Sequence, residues 1–368
     1  MKVLFLTNIP SPYRVDFFEE LGKCVDLTVW FEASGHKDRE WKIKDLGNNF
    51  TYKVLHGFTL GVSIHINFEI IALLRKYRFD KYIIGGYSSP TDMMAILWLK
   101  INRIPFILNA DGGFIKLHEK KPIGLIKKYF ISSAAEWLSS GKNCTEYLQY
   151  YGAVKQRIHE YPFVTTEYSR DDLTLMSEKL KAGFKEKYNL RGLVIITVGS
   201  FIYRKGIDIV LKAFKNIEYN NVSLLIVGGG GLKEEYLRYI DENKMTNVII
   251  LDFMEKKHLV ELYKISDIFV LQTRLDIWGL VVNEAMTFGL PVITTSCCGA
   301  AYNLVAEGKN GYILEPENDT DLTAKLKELL DDQEKRKRFG DESLHIIQDY
   351  SMDKMVKRHV EILSGAGT

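Results

Sequence analysis

A chain of 368 residues, 46% hydrophobic and 12% aromatic, is long enough for two cores rather than one. A net charge of +2 excludes a global basic field for nucleic acid, and a charged fraction of 26% is that of an ordinary soluble protein. The four cysteines (Cys24, Cys144, Cys297 and Cys298) match no metal or redox spacing and fit a reducing compartment.

The first apolar run, Val3–Leu6, is stopped by Asn8 and Pro10, too soon for a signal-peptide core. No window approaches the roughly 18 apolar residues of a membrane span. The expectation is a cytoplasmic protein, at most peripheral on a membrane surface. Further strands are predicted at Asp26–Phe31, Lys81–Gly86, Pro105–Ala110 and Glu136–Gly141, with helix-like stretches between them. The second half repeats the pattern, with strands at Leu193–Ser200, Val222–Gly229, Asn247–Phe253, Asp267–Thr273 and Pro291–Ser296. Buried strand alternating with helix predicts an α/β chain of parallel, doubly wound sheets. The polar stretch Val164–Gly192 marks the boundary, giving domains 1–165 and 166–349. Residues 350–368, after the break at Tyr350-Ser351, are free to pack back on the first domain.

Chemistry concentrates in the second half. The strand ending at Gly199 leads through Ser200 to Arg204, Lys205 and Gly206, then into a helix. Two cations at the carboxyl end of a strand suit a diphosphate, although an RKG tripeptide alone also fits a solvated turn. Gly228, Gly229, Gly230 and Gly231 lie between a strand and a helix, where backbone can approach a ligand closely. They do not form a dinucleotide fingerprint. Asp276 lies at a strand-to-helix crossing and Glu284 one turn into the helix, among Leu280, Val281, Ala285 and Met286. A carboxylate can accept two hydrogen bonds from a ribose diol, which is the role expected of Glu284.

The stretch Arg274–Leu314, with Asp276, Glu284, Gly289–Val292, Gly299 and Asn310-Gly311, resembles the signature region of family-4 retaining glycosyltransferases of the GT-B fold. VGSFIYRKGID and LLIVGGGG resemble two further markers of that family. The resemblance implies two Rossmann-like domains facing a cleft. It implies that Glu284 binds the donor ribose, Asp276 the sugar hydroxyls, and N–H groups near Gly279, Leu280 and Val281 the phosphates. Lys205 would neutralise the leaving diphosphate, with Arg204 standing in where the family often has Arg at the position of Ser200. Asp is also one methylene shorter than the Glu usual at position 276.

In the first half, Tyr13 and Arg14 follow a Pro-stiffened loop, and Asp111 stands where many relatives have His. Asp111, Gly112 and Gly113 are expected to touch sugar or acceptor. The stretch Phe114–Leu138 mixes lysines with apolar residues and suits either an anionic membrane surface or a solvated helix. The activity implied is transfer of a sugar from a nucleoside diphosphate, with UDP on family grounds, to a glycan or lipid-linked glycan in surface polysaccharide synthesis, with no cofactor, no metal and no nucleic-acid partner. Competing readings are another GT-B enzyme, such as an epimerase or hydrolase, and a non-catalytic sugar- or nucleotide-binding protein.

Overall fold

The computed structural model describes residues 1–35, 47–61, 64–116, 118–165 and 168–365. The chain divides into two compact units, Met1–Thr166 with Ser351–Thr368, and Glu167–Tyr350.

In the first unit the strands are β1 (Lys2–Thr7), β2 (Asp26–Phe31), β3 (Thr51–Val54), β4 (Phe58–Leu60), β5 (Ile64–Ile66), β6 (Lys81–Ile84), β7 (Ile107–Ala110), β8 (Glu136–Ser139) and β9 (Ile158–Glu160). The helices are α1 (Pro12–Gly22), α2 (Glu69–Lys76), α3 (Pro90–Ile101), α4 (Lys121–Ile131) and α5 (Lys142–Tyr150). Seven strands form a parallel sheet in the order β3-β2-β1-β6-β7-β8-β9, and β4 and β5 form a separate antiparallel hairpin. The strands read from the sequence here are all present. Those not read are β3, β9 and the hairpin, each only three or four residues long.

The second unit opens with α6 (Arg170–Leu173) and α7 (Glu178–Lys187). Its strands are β10 (Leu193–Val198), β11 (Val222–Val227), β12 (Val248–Leu251), β13 (Ile268–Leu271), β14 (Val292–Thr295) and β15 (Gly311–Leu314). They form one parallel sheet in the order β12-β11-β10-β13-β14-β15. Helices α8 (Ile207–Lys215), α9 (Lys233–Glu242), α10 (Lys256–Lys264), α11 (Leu280–Thr287) and α12 (Ala301–Leu304) connect successive strands, and α13 (Asp319–Asp331) and α14 (Gln333–Ile347) follow. Every residue of β11 is buried, as expected for a strand covered on both faces. The strand order reverses direction between β10 and β13, and ligands bind outside the carboxyl ends of strands at such a switch.

The last helix, α15 (Met352–Ser364), belongs to the first unit and packs on α1. Ser351 caps it, its Oγ accepting from the Lys354 N–H at 3.3 Å. Met352, Met355, Val356, His359, Ile362 and Leu363 form its buried stripe. Among the described residues no helix is long and apolar enough to cross a membrane.

At the carboxyl edge of the first sheet, buried Glu32 follows β2 and buried Asp92 lies in the first turn of α3. Ser89 caps α3 by accepting from the Asp92 N–H at 2.9 Å, and its hydroxyl donates to Glu32 Oε1 at 2.5 Å. Burial raises both carboxyls above their ordinary range, and the charge of Asp92 raises Glu32 further. Raised acids hold protons in the fold that the unfolded chain releases. Their stabilisation is therefore complete below the ordinary carboxylate range and is lost as pH rises through the folded values. Glu32→Gln keeps the oxygen that Ser89 contacts and removes this titration. It is expected to stabilise the chain by about 2 kcal/mol at pH 8 and by little at pH 4. Denaturant midpoints across that range check this, and parallel profiles for the two chains would refute it.

Candidate functional site

The carboxyl ends of β10 and β13 carry the cations and one of the acids singled out by the sequence. After Gly199 and Ser200 the chain makes a single 3-10 turn, Tyr203–Lys205, and enters α8 through Gly206. Gly206 has φ +67°, and a Cβ there would lie 1.8 Å from the Gln272 carbonyl oxygen, so only glycine fits between the two strand ends. That close approach is sealed at the Arg204 carbonyl, which accepts from the Arg274 N–H at 2.8 Å and from the Thr273 Oγ1 hydroxyl at 2.8 Å.

This geometry brings Lys205 Nζ into direct contact with Asp276 Oδ2, both largely buried, and sets Arg204 3.7 Å from Asp276 Oδ1. Arg204 also donates to the Leu275 carbonyl at 2.8 Å. The stem of Lys205 lies beside Gly199, where a Cβ would be 3.6 Å from Cδ. Asp276 is anchored in turn, its N–H donating to the Cys297 carbonyl at 2.9 Å and its carbonyl accepting from the Gly299 N–H at 3.0 Å. The arrangement is a pre-formed array of two cations and one anion at the topological switch.

Glu284 lies on α11, whose N-cap is Gly279. Helix geometry leaves the first-turn N–H groups, at Leu280 and Val281, without intrahelical acceptors, and the dipole adds positive potential there. Glu284 Oε2 accepts from the Tyr263 hydroxyl at 3.0 Å. Tyr263 is fully buried, stacks on Phe288 with rings 5.6 Å apart and 9° from parallel, and is held well above its usual range by burial and by Glu284. It therefore stays a hydrogen-bond donor.

Two supporting residues were missed in the sequence. Arg274 donates to both oxygens of Asp208 at 2.7 Å, to the Tyr203 carbonyl at 2.6 Å and to Glu317, and it lies 3.8 Å from the Tyr203 ring. It pins the turn that carries Arg204 and Lys205. Tyr263 is the other; its place on the apolar face of α10 gave no polar signal.

The glycine turn packs closely on the loop after β10. A Cβ on Gly228 would meet the Gly199 carbonyl at 1.9 Å, and one on Gly230 the Phe201 backbone at 2.7 Å. Gly229 accepts from the Phe201 N–H at 2.7 Å. These glycines let one loop lie on the loop that contains Ser200.

In the first unit, Asp111 follows β7 and is paired with Arg14 of α1. His118 is exposed, and Leu117 lies outside the described residues.

Residues 179–345 match the family of glycosyl transferases group 1. The matched segment covers the whole of the β10–β15 sheet with its switch point. An uncharacterised glycosyltransferase of Methanocaldococcus jannaschii is 28% identical over 327 residues, which are 80% of this chain and 92% of that protein. The amylovoran biosynthesis glycosyltransferase AmsD of Erwinia amylovora is 26% identical over 170 residues, 46% of this chain and 48% of its own length. Among solved structures, Anabaena HepE in complex with UDP superposes with a TM-score of 0.80 at 15% identity, covering 99% of this chain and 100% of its own. HepE in complex with UDP-glucose gives 0.77. The fold is GT-B.

Proposed function

We propose that the chain is a retaining, family-4-type glycosyltransferase. It moves a sugar from a nucleoside diphosphate, UDP by preference, to a glycan or lipid-linked glycan in surface polysaccharide synthesis. The observation that carries this reading is the Lys205–Asp276–Arg204 array at the switch point, on the sheet that also leads into α11 and Glu284. The UDP and UDP-glucose complexes of HepE support the choice of donor, and the part played by AmsD in amylovoran biosynthesis supports the acceptor class.

In this reading Glu284 accepts the ribose hydroxyls, and the α11 N–H groups with Lys205 and Arg204 receive the diphosphate. Asp276 takes a hydroxyl of the transferred sugar. The bond from the sugar anomeric carbon to the diphosphate oxygen breaks, and negative charge grows on that oxygen. Fixed cations and N–H groups aimed there stabilise the transition state more than the ground state. The acceptor oxygen bonds to the anomeric carbon on the face the diphosphate leaves, and its proton passes to the departing phosphate. This differs from a retaining glycosidase, which uses a carboxylate nucleophile about 5 Å from its acid partner. The leaving charge is met by side chains and backbone, so transfer proceeds in excess chelator. Incubation with UDP-glucose and polysaccharide or lipid-linked acceptors, with the product anomer read by NMR, tests this. An inverted anomer would rule out the retaining route, and absence of transfer from every nucleotide sugar would end the reading.

A cytoplasmic, peripheral location goes with it. Helix α4 exposes Ile123, Leu125, Ile126 and Tyr129, with Leu125 67% exposed, beside exposed Lys120, Lys121 and Lys128. Such a face suits anionic lipid, with each lysine near the surface contributing about 1 kcal/mol. The chain is expected to sediment with vesicles containing anionic lipid and not with neutral ones, and Leu125→Glu with Ile126→Glu to abolish this. Equal recovery with both vesicle types would contradict the surface assignment.

A further inference from the structure

Asp111 is held in a way the transfer reading does not require. Its Oδ1 alone takes the Arg14 guanidinium, the Asn109 Nδ2 donor at 2.9 Å and the Tyr161 hydroxyl at 3.4 Å. Tyr161 also lies 3.1 Å from Asn109 Oδ1. Among the described residues no group bonds Oδ2, and the Asp111 side chain is 31% exposed while that of Arg14 is 3% exposed. One oxygen is clamped from three elements and the other is left outward.

Each clamp member is itself braced. Arg14 lies among the rings of Phe5, Tyr13 and Phe163 at 5.5–5.8 Å. Burial is the largest influence and opposes its charge, but Asp111, Tyr161 and Tyr13 together outweigh it and Arg14 stays above its ordinary range. Burial and Asp111 hold the Tyr161 phenol well above its usual range, so it remains a donor. The Tyr161 ring rests on His359 of α15 at 4.5 Å, and His359 rests on Phe17 of α1 at 4.6 Å.

We infer that Arg14, Asn109 and Tyr161 are positioning residues that fix Asp111 so that its outward oxygen accepts a carbohydrate hydroxyl during transfer. This rests on the transferase reading above. A carboxylate clamped at one oxygen loses little freedom when the other receives a hydroxyl, and small misplacements of such a group are costly in rate.

Tyr161→Phe tests it, because the ring that packs on His359 remains. For this variant kcat/KM for transfer is expected to fall by about 10-fold, while the thermal shift given by UDP is unchanged. If the hydroxyl belongs to the donor sugar, acceptor-independent hydrolysis of UDP-glucose falls in parallel. If it belongs to the acceptor, hydrolysis is untouched and only transfer falls. In an Asp111→Ala background, itself far less active, Tyr161→Phe has no further effect beyond about twofold, because it acts through Asp111. Asp111→Asn carries the cycle if the alanine variant does not fold. Unchanged transfer by Tyr161→Phe, or a full 10-fold loss in the Asp111 background as well, overturns the clamp while an active parent chain leaves the transferase reading standing. A parent chain inactive with every nucleotide sugar removes both.

Discussion

Lys205→Ala is expected to lower kcat for sugar transfer by about 100-fold, roughly 3 kcal/mol of transition-state stabilisation. The ammonium of Lys205 is held on Asp276 at the switch point, beside the first turn of a helix and not in free solvent. In the proposed reaction it meets charge that appears only as the diphosphate departs, so UDP affinity is expected to fall much less than turnover. The variant stays folded because Arg204, 3.7 Å away, still faces the carboxylate that Lys205 vacates. Lys205→Arg keeps the charge but changes a compact point donor into a planar fork, and an intermediate rate is expected. Steady-state kinetics on the three chains with matched circular dichroism decide the matter. Full turnover by the alanine variant would take Lys205 out of the chemistry.

Glu284→Ala is expected to produce the largest loss in donor affinity. In the proposed role its carboxylate accepts both ribose hydroxyls in two charge-assisted hydrogen bonds, and their removal is expected to raise the Kd of UDP by about 30-fold, roughly 2 kcal/mol. The loss is a binding loss, so kcat at saturating donor changes less. Tyr263→Phe removes only the hydroxyl that orients Glu284 Oε2 and is the milder control. Competition assays with UDP against the donor provide the measurement. An unchanged Kd would place the ribose elsewhere.

The parallel strands were legible because burial on both faces makes them continuous apolar runs, as in Val222–Val227. Thr51–Val54 and Ile158–Glu160 were not, being short, partly exposed edge strands without such a run. Gly311–Leu314 is likewise a four-residue edge strand, too short to stand out as an apolar run. Arg204, Lys205 and Asp276 were visible as charges between strand and helix. Their contact was not, because it joins residues 71 positions apart through the adjacency of β10 and β13. Long-range adjacency of that kind is set by crossover topology and leaves no mark in a local pattern. Arg274 was hidden for the same reason: its partners, Asp208 and Glu317, lie 66 and 43 positions away. The glycine turn was legible as special, and in the fold Gly228 and Gly230 lie against Gly199 and Phe201, a long-range contact with no local mark.

The proposed activity requires that the β10–β13 switch point hold a nucleoside diphosphate. Isothermal titration of UDP into the full chain, repeated with Glu284→Ala, measures this. Saturable binding of one UDP per chain, weakened by at least about 10-fold in the variant, is the predicted result. Absence of binding by any nucleoside diphosphate, or equal binding by both chains, would contradict it.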